Sequence, residues 1–316
     1  MPLPRFPDAT GSRRIAWSGL PAEVAAGIEA RLGCVVVRAV SQPGGFSEGL
    51  AARVELADGR RAFVKAADST RSRSVGEFHR REIGISAALP PRTPAPRLLD
   101  SLDDGVWVAL MFEDVDGTPP AQPWRSDHLG RVLAAVTDLA ECLTPAPPID
   151  VALARPRLGG WSAFGDDRTA TGGLAAIAPW AFARLDALRA LESRFDEVTS
   201  GTTLVHGDPY AFNLLLTAER VVFVDWPHAW IGPAHADLVM LLASLPLSGI
   251  DPEPIAARHP LLAQVGRGEL DALVALNAGF LLHGACSSGP TADPNLVRMM
   301  TALGLSSLRW LSARLR

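Results

Sequence analysis

Lysine is nearly absent from this chain of 316 residues: of the 30 basic residues, 29 are arginine and Lys65 is the one exception. Tyrosine is as rare, because Tyr210 is the only one. The three cysteines include no CxxC pair, which argues against a disulfide framework and a zinc site and is typical of a reducing cytoplasm. The net charge of −4 excludes a strongly basic nucleic-acid-binding protein, so we expect no nucleic-acid partner.

Long apolar runs are also missing. The first seven residues lack the apolar core of a signal peptide. The longest apolar segment, residues 270–286, contains Asp271, Asn277 and His283 and is shorter than the ~20 residues that a membrane span requires. We therefore expect a cytoplasmic protein without a membrane partner, in which this segment is a buried helix.

The pattern of apolar residues predicts two unequal parts. Residues 1–117, beginning with a loosely held lead-in at residues 1–19, are predicted to form a small lobe of strands plus one helix. Period-2 alternation on both sides of Asp58-Gly59 is typical of a hairpin. Residues 118–316 are predicted to be mostly helical. The predicted strands of the first part are 34–40, 50–56, 61–66 and 107–112, and the predicted helices of the second are 126–143, 174–198, 237–245, 269–285 and 295–315.

Two short apolar segments, predicted to be strands, interrupt the helical part. Beside them lie carboxylate and carboxamide residues of the types that bind metals or act in catalysis. The sequence runs VHGDPYAFNLLL from 205 to 216, turns, and continues as VVFVD to residue 225. A buried hairpin of these strands would bring Asp208, Asn213 and Asp225 close together. Burying carboxylates without adjacent cations is costly unless they bind a metal or do chemistry. Two carboxylates and a carboxamide suit Mg²⁺, and the Asp208–Asn213 spacing is typical of a loop carrying a base and then a metal ligand.

The motif resembles that of a known enzyme family. His206-Gly207-Asp208, then Asn213, then Asp225-Trp226 resemble the catalytic loop and metal-binding aspartate of the aminoglycoside phosphotransferase family, relatives of choline kinase and protein kinases. The resemblance spans about residues 30–245 and favours the small-molecule branch, because protein kinases have Arg at the glycine and Phe-Gly after the metal-binding aspartate. It implies an α+β, two-lobed, protein-kinase-like fold with a small β-rich N-terminal lobe and a mostly helical C-terminal lobe. It also implies transfer of the γ-phosphoryl group of ATP, with Mg²⁺, to a hydroxyl of a small molecule.

The same resemblance assigns roles to individual residues. It implies that Asp208 orients and deprotonates the acceptor hydroxyl, and that Asn213 and Asp225 bind Mg²⁺ between the β- and γ-phosphates. It implies supporting structural roles for His206, which would hold the loop, and for Asp237, which would cap a helix and brace the loop.

Lys65 lies where the family keeps the lysine that grips the α- and β-phosphates. Its retention amid arginine supports this role, because a planar guanidinium does not replace a compact ammonium against phosphate. An orienting carboxylate is expected on the following helix, where Glu77 and Glu82 point about 140° apart. Glu77 matches a capping box begun by Ser74, whereas Glu82 lies on the buried stripe, so we choose Glu82.

The remaining nucleotide contacts are expected from backbone. The turn containing Gly44, Gly45, Phe46 and Ser47 would cover the phosphates. The segment from Glu113 to Val115 would be the hinge between the lobes, and its N–H and C=O groups would read the adenine edge.

The acceptor is the least determined part of this prediction. An antibiotic such as an aminoglycoside is expected, with a metabolite alcohol such as choline or an amino-alcohol as the alternative. A polycation needs carboxylates, which Asp166 and Asp167 offer, and an apolar antibiotic needs aromatic side chains such as Trp161. Tyr210, two residues after the predicted base, is a further candidate. The sequence makes no prediction of oligomeric state.

Two other functions are weighed against the kinase prediction. Residues 45–49 match GxSxG, the nucleophile elbow of serine hydrolases, but that elbow lies between a strand and a helix, and residues 50–56 alternate as a strand. A regulatory, nucleotide-binding pseudokinase would usually lack one of the four site residues Lys65, Asp208, Asn213 and Asp225, and all four are present.

Overall fold

A computed structural model describes residues 3–5, 7, 14–45 and 48–316. Its N-terminal lobe is built on a five-stranded antiparallel sheet with the strand order β1-β2-β3-β5-β4. The strands are β1 (Val36–Ser41), β2 (Leu50–Leu56), β3 (Arg61–Asp68), β4 (Leu98–Asp103) and β5 (Trp107–Glu113). The sequence prediction missed β4, and its remaining four strands are present.

The centre of this sheet positions Lys65. The hairpin of β2 and β3 turns at Gly59, whose φ of 85° is one that glycine adopts readily. Strand β3 lies between β2 and β5, with Lys65 opposite Ala51 on one side and Leu110 on the other. Because these neighbours are apolar and buried, the lysine stem is held by packing and its ammonium group extends from the middle strand.

Two helices pack with the sheet, α1 (Ala22–Leu32) and α2 (Arg73–Ala88). Helix α2 begins before Ser74, and the capping residue Ser72 makes no side-chain capping hydrogen bond. The predicted capping box is therefore wrong. Glu77 is exposed and accepts a hydrogen bond from Arg73 at 2.9 Å, because residues four apart share one face of a helix.

The end of the lead-in contacts the sheet. Of residues 1–19, the structure describes residues 3–5, 7 and 14–19. Ile15 donates its backbone N–H to Gly49 at 3.1 Å, and Arg14 forms a bridge with the same glycine. The part from Arg14 onward is thus tied to the start of β2 rather than loosely held.

The C-terminal lobe is mostly helical, as predicted. Its helices are α3 (Ser126–Cys142), α4 (Arg168–Ile177), α5 (Pro179–Phe182), α6 (Leu185–Glu192), α7 (Phe195–Thr199), α8 (Ala236–Ser244), α9 (Glu253–Ala256), α10 (Arg267–Ser287) and α11 (Pro294–Arg314). The predicted helix 174–198 is divided among α4 to α7. Pro179 causes the first break, because a proline has no N–H to continue the helix and disfavours helical geometry in the residue before it.

Helix α10 forms the centre of the C-terminal lobe. It packs along α11 and also contacts α4, α6, α7 and α8. By length and composition α10 is also the one described helix that could cross a membrane, and 72% of its most apolar window is buried inside the protein. The prediction of a buried helix at 270–286 is confirmed.

Four short strands lie between α7 and α8 in the C-terminal lobe. Strand β6 (Thr203–Val205) pairs with β9 (Trp230–Gly232), and β7 (Leu214–Leu216) pairs with β8 (Val221–Phe223). The β7–β8 pair is the buried hairpin that the sequence predicted. A bridge from Thr118 to Leu216 joins the chain leaving the first lobe to this hairpin.

Candidate active site

One cation from the N-terminal lobe meets carboxylates from both lobes. The Nζ atom of Lys65 lies 2.7 and 2.9 Å from the two carboxylate oxygens of Glu82 on α2, and 2.6 Å from Oδ1 of Asp225, which follows β8. Glu82, not Glu77, is thus the carboxylate in contact with Lys65. The structure brings together three of the predicted site residues that are 17 and 160 positions apart in the sequence.

The three charges depend on one another. Burial opposes the charge on Lys65, but the two carboxylates outweigh it and raise the pKa of Lys65. Burial likewise opposes the charge on Asp225, and the Lys65 ammonium outweighs it and lowers the pKa of Asp225. Burial raises the pKa of Glu82, with Lys65 acting against that effect. A negative ligand would therefore enter a site that already holds a fixed ammonium group.

Asp225 has an unusual backbone conformation. With a φ of 70° it is the one non-glycine residue with a positive φ in the part of the chain that the structure describes. Such conformations cost energy and persist where the surroundings impose them, most often at functional sites. The next residue, Trp226, donates its backbone N–H to Glu82 at 3.3 Å, so the same glutamate that contacts Lys65 also holds this turn.

The loop before Asp208 is fixed by Asp237. The carboxylate of Asp237, near the start of α8, accepts the backbone N–H groups of His206 at 2.7 Å and Gly207 at 2.9 Å. Burial raises the pKa of Asp237 to about 6, and the two N–H donors act against this rise. Gly207 has a φ of 78°, and a Cβ there would lie 2.4 Å from the carbonyl oxygen of His228, so the loop requires glycine.

His206 is fully buried and in contact with backbone on both sides. Its Nδ1 accepts the N–H of Asp208 at 3.3 Å, so its Nε2 must donate to the carbonyl of Val224 at 3.0 Å. Burial lowers the pKa of His206 to about 4, which fits a neutral ring. This ring joins the Asp208 loop to the strand that leads into Asp225.

Asn213 orients the carboxylate of Asp208. Its Nδ2 donates to the backbone carbonyl of Asp208 at 3.0 Å and to Oδ2 of the same residue at 2.8 Å. Burial raises the pKa of Asp208, and Arg157, with Nη1 3.8 Å from Oδ2, acts against that rise. Oδ2 is thus engaged, and Oδ1 is the oxygen left for a further partner.

The donor set fits Mg²⁺. Asn213 uses its amide nitrogen on Asp208, which leaves its Oδ1 for a cation, and Asp225 engages Lys65 through Oδ1 and leaves Oδ2. Among the described residues, no cluster of three or more His, Cys, Asp or Glu forms a metal cage. Mg²⁺ binds through one or two carboxylates and completes its shell with water and phosphate oxygens, so the free oxygens of Asn213 and Asp225 suit it.

The predicted hinge is braced by an ion pair that the sequence analysis missed. Between Glu113 and Val115, the carboxylate of Asp114 accepts two hydrogen bonds from the Arg53 guanidinium of β2, at 2.7 and 2.8 Å. Asp114 is almost fully buried. No local pattern reveals this contact, because its partners are 61 residues apart.

The glycine-rich turn is described in part. Gly44 accepts a hydrogen bond from the Arg14 guanidinium at 2.5 Å, and Gly45 has a φ of 87°. Phe46 and Ser47, predicted to cover the phosphates, lie outside the described residues.

Two of the four predicted acceptor residues belong to the core. Trp161 has no exposed surface, and its ring N–H donates to the carbonyl of Ala275 at 2.8 Å. Tyr210 is 4% exposed, and its hydroxyl donates to Asn277 at 3.1 Å. Both side chains are thus packed in the core with their polar groups satisfied by protein partners, so an acceptor role for either stays a prediction that their burial disfavours. The remaining two lie at the start of α4, where Asp166 is exposed and Asp167 caps the helix.

Arg157 lies beside Asp208, with its Nη1 3.8 Å from Oδ2. The Arg157 guanidinium lies over the Phe280 ring at 5.0 Å. The sequence analysis gave Phe280 to the core and did not single out Arg157. No local signal identifies either residue, since they come from different segments and are brought together by the packing of α10.

Comparison with known proteins agrees with this geometry. The sequence profile of the phosphotransferase enzyme family matches residues 42–273. The match covers well over half of the chain, so the chain belongs to this family, as the resemblance predicted, and it is a small-molecule kinase. A comparison with curated protein sequences finds no match.

Solved structures share the whole fold at low identity. A thermostable mutant of aminoglycoside phosphotransferase APH(4)-Ia, in a ternary complex with AMP-PNP and hygromycin B, is 17% identical, with a TM-score of 0.58 over 93% of this chain and 99% of that one. Choline kinase from Cryptosporidium parvum Iowa II is 10% identical, with a TM-score of 0.59 over 93% and 96%. The gentamicin complex of APH(2")-IIa is 14% identical, with a TM-score of 0.54 over 92% and 96%. These similarities establish a two-lobed, kinase-like α+β fold.

Proposed function

We propose that this protein transfers the γ-phosphoryl group of ATP to a hydroxyl of a small molecule. One observation carries the proposal: Lys65 and Glu82 of one lobe contact Asp225 of the other, and Val224, next to Asp225, donates its N–H to the carbonyl of Asn213, the partner of Asp208. Phosphoryl transfer depends on positioning and charge stabilisation, and these are the groups it uses. We also propose an intracellular location, because the reaction requires ATP.

Each residue has a distinct task in the proposed reaction. Lys65, held by Glu82, would bind the α- and β-phosphates, while Asn213 and Asp225 would hold Mg²⁺. When bound, Mg²⁺ would neutralise charge on the β- and γ-phosphates. Oδ1 of Asp208 would accept the proton of the acceptor hydroxyl, since Oδ2 is engaged by Asn213. The backbone of residues 113–115 would bind adenine.

The acceptor we propose is an antibiotic, an aminoglycoside or similar molecule. Support comes from family membership and from the complexes of similar structures with hygromycin B and gentamicin. A metabolite alcohol is the second candidate, because choline kinase has the same fold over 93% of this chain.

The two rival functions are less well supported. The GxSxG match leads directly into β2, whereas a nucleophile elbow leads into a helix. A pseudokinase would not need Asn213 to orient the Asp208 carboxylate at 2.8 Å.

Substitution of Asp208 by asparagine tests the proposal. We expect kcat to fall roughly a hundredfold or more, the usual contribution of a general base, while ATP binding stays close to wild type. ADP release with an acceptor panel and calorimetric titration with MgATP measure the two effects. Asp186→Asn, at an almost fully exposed side chain, is the matched control. Wild-type turnover in the Asp208 variant would exclude Asp208 as the base.

A further inference from the structure

A fixed positive charge lies beside the proposed base. Arg157, in the connection between α3 and α4, has its Nη1 3.8 Å from Oδ2 of Asp208. Its guanidinium is held over the ring of Phe280 on α10, at 5.0 Å from the ring centroid, in the geometry of a cation–π contact. The side chain is 28% exposed, so it is anchored and still open to a ligand.

The carboxylates available to balance this charge are few. The carboxylates that interact electrostatically with Asp208 include Asp225, which is engaged by Lys65, and Asp237, which accepts the N–H groups of His206 and Gly207. His228 is neutral and adds no further positive charge, because burial and the Arg157 guanidinium lower its pKa to about 3. Asp208 itself must accept a proton from the acceptor.

Of the two acidic residues suggested for a polycation, Asp166 is exposed and Asp167 has another partner. Asp167 accepts the N–H of Ala170 as the cap of α4, and it acts on Cys286 near the far end of α10. Asp167 thus holds the start of α4.

We propose that Arg157 selects acceptors with no ammonium group next to the reacting hydroxyl, that is, neutral or anionic molecules. This inference rests on the proposed phosphoryl transfer and revises the acceptor proposed from the comparisons: it excludes polycationic aminoglycosides and choline and leaves neutral or anionic antibiotics and metabolite alcohols. An ammonium group near Asp208 would face the Arg157 charge, and like charges at such distances in a partly buried site change affinity by about tenfold or more. The N–H groups of Arg157 would instead donate to a hydroxyl, carbonyl or carboxylate oxygen of the acceptor.

Matched acceptor pairs test this selection. Choline and 3,3-dimethylbutan-1-ol differ in charge and little in shape, and kanamycin and its fully N-acetylated form share their hydroxyl groups. For wild type we expect the neutral member of a pair to have the higher kcat/KM, by about tenfold. Arg157→Glu should reverse the order within each pair.

Arg155→Glu is the matched control. Arg155 is on the same connection and lies over Phe195 at 5.7 Å, in the same kind of stacked contact as Arg157. We expect this variant to keep the wild-type order of acceptors. If the order changes equally in both variants, general surface charge is the cause and the proposal is wrong.

The remaining outcomes are also decisive. A wild-type preference for the cationic members contradicts the selection by Arg157, and leaves the phosphotransferase function intact. If wild type phosphorylates no acceptor of the panel, the proposal still requires that Arg157→Glu phosphorylates kanamycin. An Arg157→Glu variant that hydrolyses ATP but does not phosphorylate kanamycin would contradict the proposal. Failure of wild type to bind or hydrolyse ATP would instead contradict the proposed function itself.

Discussion

Lys65 contacts both carboxylate oxygens of Glu82, whereas Glu77, five residues earlier on the same helix, is exposed and paired with Arg73. One helix therefore offers two glutamates of the same chemistry in different environments. The Glu82 carboxylate also accepts the N–H of Trp226 and so links α2 to the turn that carries Asp225. Substituting Glu82 and Glu77 in turn therefore separates the contribution of the Glu82 carboxylate to ATP use from that of helix α2 as a whole.

Glu82→Gln should impair ATP use. The substitution removes the charge that holds the Lys65 ammonium and leaves Asp225, the proposed metal ligand, as the remaining anionic partner of Lys65. Because small displacements of a positioning group reduce rates strongly, we expect kcat/KM for ATP to fall roughly tenfold or more. Steady-state kinetics over a range of MgATP concentrations measure the effect.

Glu77→Gln serves as the internal control. It breaks an exposed pair within one turn of helix, and such pairs contribute only about 0.3–0.5 kcal/mol to stability. We expect its kinetics to equal wild type. Equal losses in the two variants would show that the helix, and not the contact with Lys65, matters.

Lys65→Arg should be almost as harmful, although it keeps the charge. Lys65 is flanked by two carboxylates at 2.6–2.9 Å, and a planar, branched guanidinium cannot occupy the same point between them. We expect roughly a tenfold loss in kcat/KM for ATP. Arg71→Lys, at an exposed position near the start of α2, should have no effect. Unchanged kinetics for Lys65→Arg would show that Lys65 is peripheral.

The sequence predicted the elements whose signals are local. The hairpin of β2 and β3, the β7–β8 hairpin and the long helices follow from alternation, turn residues and periodicity. Their packing brings Lys65 to Asp225 across 160 residues, and only the family resemblance suggested that contact.

The predictions that differ from the structure depended on helix ends, on burial and on contacts between distant residues. A capping box at Ser74 was expected from residue types, but α2 begins at Arg73. Trp161 and Tyr210 were offered to the acceptor because aromatic side chains can line a binding site, and the depth to which a side chain is buried depends on the whole fold. Arg157 could not be found in advance, because its importance arises from its distance to Asp208.

Tyr210→Phe should reduce stability without reducing catalysis. The hydroxyl donates to Asn277, whose amide group in turn donates to Ser307, so its removal leaves a buried acceptor without a donor. Such a loss costs about 1–3 kcal/mol of the free energy of unfolding. Urea denaturation measures it, and an Asn277→Ala double-mutant cycle isolates the pair. A large drop in kcat at unchanged stability would return Tyr210 to the acceptor site.

Buried histidines make stability depend on pH. Burial lowers the pKa of His206 to about 4 and those of His79 and His228 to about 3. Below the ordinary histidine pKa of about 6.5, the unfolded chain binds protons at these three positions and the native protein does not, so stability falls as pH falls. Asp237, with a pKa raised to about 6, acts in the opposite direction between about pH 4 and 6.

The balance of these groups gives a measurable slope. Taken alone, three histidines against one aspartate leave a net uptake of about two protons on unfolding near pH 5, or about 3 kcal/mol of lost stability per pH unit. The lowered pKa values of His235 and His259 add to this uptake, and the raised pKa values of Asp208 and Glu82 subtract from it. Urea unfolding at pH 7.5, 6 and 5 tests this, and His206→Gln should reduce the slope by about one proton. A free energy of unfolding that stays constant or rises from pH 7.5 to 5 would mean that these rings are protonated in the native protein, against the Nε2–H form of His206 that Asp208 and Val224 require.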